Sequence, residues 1–166
     1  LMEHKLKRKK IHVEKNLVIT QRLTGFVTRL QQLFINLLIN AADAIDHDHG
    51  VIRLEGKDDA EKIMITVSDN GDGIRQIDIP HIFDPFFTTK GRGEGTDLGL
   101  SIAFNIVREH YGEIDVQSHK GDGTTFSIEF PLITPLRSIR YDRKMNSPDR
   151  RRKHNPRYFP PHFHRQ

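Results

Sequence analysis

The sequence contains no cysteine and no tryptophan among its 166 residues. The absence of cysteine excludes disulfide scaffolds, cysteine-ligated zinc sites, iron–sulfur clusters and thiol nucleophiles. No apolar stretch approaches the roughly 20 residues that a membrane-spanning helix needs, and the first residues, Leu-Met-Glu-His, are unlike a signal peptide. We therefore expect a soluble domain without an export signal, and the chain length suits one domain of ordinary size.

Charge is distributed unevenly along the chain. The 26 Lys+Arg and 22 Asp+Glu residues give a formal net charge of +4. Residues 135–166 hold ten basic and two acidic side chains, so this segment carries +8 and residues 1–134 carry −4. Residues 138–166 contain four prolines and lack any helical or strand periodicity, which predicts a disordered basic tail. Binding of the tail to nucleic acid or an anionic membrane is an alternative, but such tails usually stay solvated and we predict no specific nucleic-acid partner.

Apolar periodicity predicts an α+β domain in residues 11–134. Apolar side chains recur at helical spacing in residues 29–45 and 98–111. Apolar and polar residues alternate, as in strands, in residues 11–19, 51–55, 63–67, 113–118 and 124–130. A charged turn is expected at residues 56–62, and the basic run at residues 5–10 is interpreted as the end of a preceding helix. The order of these segments predicts a mixed sheet with helices on one face, a two-layer α/β sandwich.

A polar stripe follows the first long helix. Asn36, Asn40 and Asp43 are spaced i, i+4 and i+7, so their side chains line one side of a helix that is otherwise apolar. A solvent-facing stripe is the simplest interpretation, but Lys, Glu and Gln are missing from residues 34–45. A neutral amide oxygen suits Mg²⁺ and adds no negative charge beside a polyphosphate.

Two glycine-rich segments offer further binding groups. Asp69 follows a predicted strand and precedes Gly71 and Gly73. The ionised carboxylate can only accept hydrogen bonds, so it suits an exocyclic amine, which donates them. The glycines allow a flat ligand to approach the backbone. An ordinary turn is the alternative for this segment. The glycines of residues 91–99 run directly into a helix, whose free N-terminal amides bind phosphate.

In this order, the segments resemble the motifs of the catalytic, ATP-binding domain of sensor histidine kinases. The resemblance covers about residues 10–132 and implies the Bergerat fold, with a mostly antiparallel sheet, that DNA gyrase, mismatch-repair ATPases and a heat-shock chaperone share. The similar motifs are the N box at residues 36–44, the first glycine box at 69–74, the F box at 83–87, the second glycine box at 91–100 and the Gly-x-Gly-Thr-x-Phe element at 121–126.

The resemblance also implies residue roles in binding Mg-ATP. Asn40 would be the Mg²⁺ ligand, Asn36 would lie beside the triphosphate, and Asp69 would receive the adenine amino group. Asn36 and Lys90 are the implied catalytic residues. The aromatic residues Phe83, Phe86 and Phe87 are interpreted as hydrophobic anchors of the loop that covers the phosphates. The remaining implied nucleotide-binding residues are Asp43, Gly71, Gly73, Ile74, Lys90, Gly93, Gly95, Thr96, Leu98, Gly99, Leu100 and Thr124.

Two positions depart from the patterns of related families. The ATP-hydrolysing relatives carry Glu where this chain has Asn36, and an amide cannot accept a proton at neutral pH, so transfer to another nucleophile is favoured over hydrolysis. Asp97 replaces the middle glycine of the motif Gly-Thr-Gly-Leu-Gly-Leu. A carboxylate there costs backbone freedom and adds negative charge near the phosphates, so weaker nucleotide binding is expected.

The implied reaction is donation of the ATP γ-phosphoryl group to a histidine on a separate dimerisation domain in two-component signal transduction. None of the ten histidines has the His-Glu-x-x-Asn/Pro setting of a phosphoacceptor, and His47, His49, His81 and His110 are expected at the surface or the edge of the core. Residues 1–10 would then end the dimerisation helix or a linker.

The implied partners are ATP and ADP, the dimerisation domain and a response regulator. The isolated domain is expected to be monomeric and cytoplasmic, with an inner-membrane anchor in the parent protein left open. The alternatives are a serine protein kinase of the anti-sigma type and a nucleotide-binding or interaction module without catalysis.

Overall fold

A computed structural model describes residues 2–88 and 98–132. By its contacts the chain divides into two units, Leu1–Ile133 and Thr134–Gln166, and every described residue belongs to the first. Within the described ranges, no helix is long and apolar enough to cross a membrane. The elements are α1 (Met2–Arg8), β1 (His12–Val18), α2 (Val27–Ala44), β2 (Val51–Asp58), β3 (Lys62–Asp69), a 3₁₀ turn (Ile79–His81), α3 (Gly99–Glu109), β4 (Glu113–His119) and β5 (Gly123–Pro131).

The five strands of the described residues form one mixed sheet. Their order is β1-β2-β3-β5-β4. The edge strand β1 pairs parallel with β2, and the other three pairs are antiparallel. The chain returns from β1 to β2 through α2, the kind of crossover that a parallel pair requires. The α+β fold with a mostly antiparallel sheet is therefore confirmed.

The hydrophobic core lies between the sheet and the helices α2 and α3. Leu33, Leu37 and Ala41 recur on one side of α2 and are almost completely buried, as the helical period requires. On β5, Phe126 and Phe130 are buried at alternate positions. Burial of such side chains contributes about 1.5–3 kcal/mol each relative to exposure. This packing fixes the carboxyl end of α2 relative to β3 and β5.

The charged turn expected at residues 56–62 is shorter in the structure, because β2 continues to Asp58 and β3 begins at Lys62. Gly56 lies inside β2 and is buried. A Cβ atom at this position would lie only 2.8 Å from Ile19 and 2.9 Å from Leu17. The expectation was wrong at this residue because Gly56 is required by close packing inside a strand and not by a turn.

His110 is buried, with 6% of its surface exposed, so its expected place at the edge of the core is wrong. The backbone N–H of Phe26 donates to His110 Nε2 at 3.0 Å. Nδ1 therefore carries the proton of the neutral ring and donates to the Ile106 carbonyl oxygen at 2.8 Å. The imidazole joins the start of α2 to the end of α3, and both of its polar atoms are satisfied.

The basic segment at the N-terminus contacts the end of α2. Lys9 Nζ donates to the carbonyl oxygens of Ala42 at 2.9 Å and Ile45 at 2.8 Å. Lys5 forms an ion pair with Asp43. The last carbonyls of a helix lack intrahelical partners and carry partial negative charge, so cations stabilise this end of α2.

Candidate functional site

The polar stripe on α2 lies half-buried at the side of the core. Asn36 Nδ2 donates to the carbonyl oxygen of Gly99, the first residue of α3, at 3.1 Å. Asn40, one turn further along α2, is also half-buried. Asp43 continues the stripe towards the end of the helix, where its carboxylate contacts Lys5. The stripe therefore runs from the start of α3 to the end of α2.

Asp69 is the last residue of β3 and the most strongly perturbed carboxylate in the described part of the chain. It is 8% exposed, and burial raises its pKa from 3.8 to about 6. The backbone N–H groups of Gly71, at 2.9 Å from Oδ1, and of Thr124 donate to the carboxylate and partly offset this rise in pKa. A buried acceptor of this kind is typical of binding sites.

The loop after Asp69 is held against two other parts of the backbone. A Cβ atom at Gly71 would lie 2.5 Å from the Ala44 carbonyl oxygen, and one at Gly73 would lie 1.9 Å from the His119 carbonyl oxygen. Gly73 also has a φ of +65°. The Asp72 N–H donates to the Ala44 carbonyl oxygen at 2.8 Å. Both glycines are therefore required by close approach of the backbone, which is a stronger reason than turn flexibility.

The end of β4 closes the other side of this loop through Ser118, a residue for which no role was expected from the sequence. Ser118 Oγ accepts the Ile74 N–H at 2.8 Å and donates to the Gly123 carbonyl oxygen at 2.7 Å. It also lies 3.1 Å from Thr124 Oγ1. The sequence did contain a signal for Ser118. This residue continues the inward-facing positions Ile114 and Val116 of β4, and a hydroxyl at such a position needs a hydrogen-bond partner.

The aromatic residues expected as anchors behave differently from one another. Phe83 packs against Phe104 and Phe126, with ring centroids 5.2 and 6.4 Å apart. Phe87 also packs against the core, with its ring 5.9 Å from that of His81. Phe86 is 75% exposed and has a φ of +66°. Phe86 therefore does not pack into the core as Phe83 and Phe87 do, and the loop that these residues were expected to anchor lies outside the described residues.

Several expected nucleotide-binding residues lie in the first turn of α3 or in the segment before it. Leu98 is exposed, and Leu100 packs against the core. Gly99 begins the helix, and a Cβ atom added there would meet no described residue within 4 Å. The remaining residues of this segment that the sequence analysis named lie outside the described residues. They are Lys90, Gly93, Gly95, Thr96 and Asp97.

The described residues contain no group of three His, Asp or Glu side chains arranged to hold a metal ion. A structural metal centre of carboxylates and imidazoles is therefore not found in residues 2–88 and 98–132. The half-buried amide of Asn40 could supply one oxygen to a hard cation that keeps its other ligands from water and phosphate.

The chain matches a known family over more than half of its length. Residues 25–134 match the family described as histidine kinase-, DNA gyrase B-, and HSP90-like ATPase. The matched range begins just before α2 and ends just after β5. It therefore includes every site residue described above.

Curated proteins similar to this chain include two kinases. Sensor histidine kinase ZraS of Escherichia coli (strain K12) is 43% identical over 104 residues, which are 63% of this chain and 22% of that protein. Sporulation kinase A of Bacillus subtilis (strain 168) is 40% identical over 109 residues, which are 66% of this chain and 18% of that protein. The chain thus spans about a fifth of the length of these relatives.

Solved structures agree with the sequence comparison. The nucleotide-free catalytic domain of histidine kinase ThkA superposes with a TM-score of 0.67 at 32% identity, covering 78% of this chain and 84% of that chain. Full-length ShkA in complex with AMPPNP also gives 0.67, at 23% identity, covering 82% of this chain and 29% of that chain. The second likeness shows the fold alone. With this fold and the match over residues 25–134, the chain belongs to the histidine kinase-, DNA gyrase B- and HSP90-like ATPase family.

Proposed function

We propose that this chain is the catalytic domain of a sensor histidine kinase, which binds Mg-ATP and transfers the γ-phosphoryl group to a histidine of a separate dimerisation domain. The observation that carries this proposal is the buried Asp69 carboxylate beside the glycine loop, which is hydrogen-bonded to the end of α2 through the Asp72 N–H and the Ala44 carbonyl oxygen. The similarity to ZraS and to Sporulation kinase A, both named as kinases, supports it.

The residues around Asp69 fit an adenine base. The carboxylate accepts a hydrogen bond from the 6-amino group, and its burial makes it costly to leave without a partner. In this proposal Gly73 and Ile74 line the base, and Gly73 can carry no side chain because a Cβ atom there would lie 1.9 Å from the His119 carbonyl oxygen. Thr124 is the cross-strand neighbour of Asp69 and stands on the same face of the sheet.

The phosphates are assigned to the polar stripe of α2 and to the segment that precedes α3. Asn36 and Asn40 supply amide groups, with Asn40 as the ligand of Mg²⁺. Lys90, Gly93, Gly95 and Thr96 complete the phosphate site in this proposal. Mg²⁺ would neutralise charge on the phosphates when it is bound.

The chemistry of Asn36 favours transfer of the γ-phosphoryl group to a protein side chain over hydrolysis of ATP. Its amide donates to the Gly99 carbonyl oxygen and has no basic atom that could take a proton from water at neutral pH. The attacking nucleophile must then be supplied by another domain. The proposed partners are the dimerisation domain, to which residues 1–10 would connect, and a response regulator. We also propose that the isolated domain is a cytoplasmic monomer with residues 135–166 as a solvated tail.

Calorimetry and phosphotransfer together test this function. The chain should bind Mg-ATP and Mg-ADP and should prefer them to guanine nucleotides, and radiolabelled phosphate should appear on an added dimerisation domain that carries its acceptor histidine. Binding without transfer to any such domain would favour a nucleotide-binding module without catalysis. Equal affinity for ATP and GTP would contradict the adenine site.

The metal assignment has its own test. Asn40→Ala should weaken ATP binding in Mg²⁺ and leave binding in EDTA unchanged, because only the metal-bound complex loses a ligand. Gln32→Ala, a change near the start of the same helix, is the control. An equal loss in both buffers would assign Asn40 to the shape of the helix and not to the metal.

A further inference from the structure

We propose that Ser118 is a specificity-determining residue, which sets the purine preference of the site by fixing the direction of the Thr124 hydroxyl. This inference rests on the proposed function, because it concerns how the adenine site reads its base. Ser118 itself is a positioning residue and acts through Thr124.

The direction of the hydroxyl follows from counting protons. Ser118 Oγ lies 2.7 Å from the Gly123 carbonyl oxygen, which can only accept, so the single hydroxyl proton of Ser118 is used there. The Ile74 N–H, at 2.8 Å, can only donate to Ser118 Oγ. At the third contact, 3.1 Å long, the donor must therefore be Thr124 Oγ1. The Thr124 hydroxyl proton points at Ser118, and its lone pairs stay free to accept.

The three side chains form one row across the sheet. In the strand register Thr124 is opposite Asp69 on β3 and opposite Ser118 on β4. Residues directly opposite each other have side chains on the same face. All three residues are less than 9% exposed, so a hydroxyl held here keeps its orientation without competition from bulk water.

The row therefore presents acceptors to the base edge. The ionised Asp69 carboxylate offers no proton, and Thr124 offers lone pairs because its proton is held by Ser118. The 6-amino group of adenine donates to this edge, whereas the 6-oxo oxygen of hypoxanthine places an acceptor opposite these acceptors at the same position of the ring. A site with fixed acceptors rejects the wrong partner because a buried polar group is left unpaired.

Removing the Ser118 hydroxyl should relax the discrimination against 6-oxo purines. In Ser118→Ala the Thr124 hydroxyl has lost its acceptor, so it can rotate and donate to a 6-oxo oxygen. The loop at Ile74 also loses a hydrogen bond, which weakens binding of every nucleotide. The ratio of two affinities separates these effects, since a loosened loop lowers both and a reoriented hydroxyl changes their ratio.

The experiment is calorimetry on the full chain with ATP and inosine triphosphate, at about pH 8 so that Asp69, whose pKa is about 6, is ionised. These nucleotides differ in the base and share the ribose and triphosphate. The unmutated chain should prefer ATP. Ser118→Ala should lower the ATP-to-inosine-triphosphate affinity ratio by about fivefold or more, as expected for one hydrogen bond of about 1 kcal/mol. Ser118→Thr, which keeps a hydroxyl, should retain the ratio.

Ser68→Ala is a matched control. It removes a similar hydroxyl pair, Thr125 Oγ1 to Ser68 Oγ at 3.1 Å, which joins β5 to β3 instead of β4 and lies on the opposite face of the sheet. This variant should keep the nucleotide ratio of the unmutated chain. A Thr124→Val background provides a second test, because Ser118→Ala should change the ratio no further once the Thr124 hydroxyl is absent.

The outcomes are distinguishable from failure of the proposed function. If the unmutated chain binds both nucleotides equally or binds neither, the adenine site itself is wrong. If the unmutated chain discriminates and a folded Ser118→Ala chain discriminates equally well, the role of Ser118 is overturned. The role of Ser118 would also be overturned if Ser118→Ala still lowered the ATP-to-inosine-triphosphate affinity ratio in the Thr124→Val background.

Discussion

At the scale of single residues, the buried Asp69 carboxylate is proposed to bind the base and also lowers the free energy of unfolding at neutral pH. Its pKa is raised from 3.8 to about 6 by burial, so the folded domain favours the protonated carboxyl. The stability that this preference provides is complete below about pH 4 and is lost as the pH rises through about 6. At neutral pH the free domain therefore carries an ionised buried carboxylate, which a base with a donor group would stabilise.

Asp69→Asn should remove this pH dependence. Relative to the variant, the unmutated chain should lose up to about 3 kcal/mol of unfolding free energy between about pH 4 and pH 8. Asp72→Asn, an exposed change in the same loop, is the control and should follow the unmutated curve. Urea denaturation at several pH values measures the difference. Parallel curves for the unmutated chain and Asp69→Asn would show that Asp69 ionises as easily in the fold as in water.

Tyr111 is a second residue that lowers the stability of the fold, here through backbone strain. It has a φ of +58° and is 76% exposed, so a non-glycine residue occupies the left-handed region without burial of its ring. Tyr111→Gly should raise the unfolding free energy by about 0.5–1 kcal/mol, because relief of strain exceeds the added entropy of the unfolded chain. Tyr111→Ala keeps the strained backbone and should bring no such gain. Equal stability of the Gly and Ala variants in urea denaturation would refute this explanation.

At the scale of elements, the end of α2 is where the N-terminal segment meets the candidate site. Lys9 donates to the carbonyls of Ala42 and Ile45. The intervening Ala44 carbonyl accepts the Asp72 N–H of the glycine loop. The end of α2 thus accepts hydrogen bonds from the Lys9 ammonium group and also from the loop that follows Asp69.

Lys9→Met keeps the aliphatic stem but removes the ammonium group. We expect a loss of about 1–2 kcal/mol in unfolding free energy, since hydrogen bonds from a charged donor to helix carbonyls are lost. Lys7→Met, at an exposed position of α1, is the matched control. Urea denaturation measures both, and faster hydrogen exchange at the Asp72 amide should accompany the loss. An unchanged Lys9→Met chain would mean that water replaces the ammonium at no cost.

At the scale of the whole molecule, local sequence patterns predicted the helices and strands well. They predicted poorly the contacts between residues that are distant in sequence. The alternation in β5 and the helical period of α2 depend on neighbouring residues, and both are present in the structure. The buried position of His110 depends on Phe26 and Phe130, which are distant in sequence. The bonds of Ser118 likewise depend on how β4 meets the glycine loop. The position of Asp69 at the end of β3 was predictable because its motif is contiguous, and its role in binding stays a prediction.

The carboxyl-terminal segment of the chain is basic, whereas the rest of the chain carries a net negative charge. Deleting residues 138–166 removes nine basic and two acidic residues, so the formal net charge falls from +4 to −3. A polar, proline-broken segment is expected to bury little apolar surface, so the melting temperature should stay unchanged within about 2 °C. Nucleotide affinity should also be unchanged at about 0.15 M salt, where the Debye length is about 8 Å.

At low salt the same deletion should weaken ATP binding a few-fold, because a basic segment no longer raises the local concentration of an anionic ligand. A matched chain with residues 150–153 changed to glutamine keeps the length and removes four of the nine basic charges. It should show part of the low-salt effect if charge is the cause and none of it if length is the cause. A fall of several degrees in melting temperature at both salt concentrations would mean that the segment packs on the domain and is not a solvated tail.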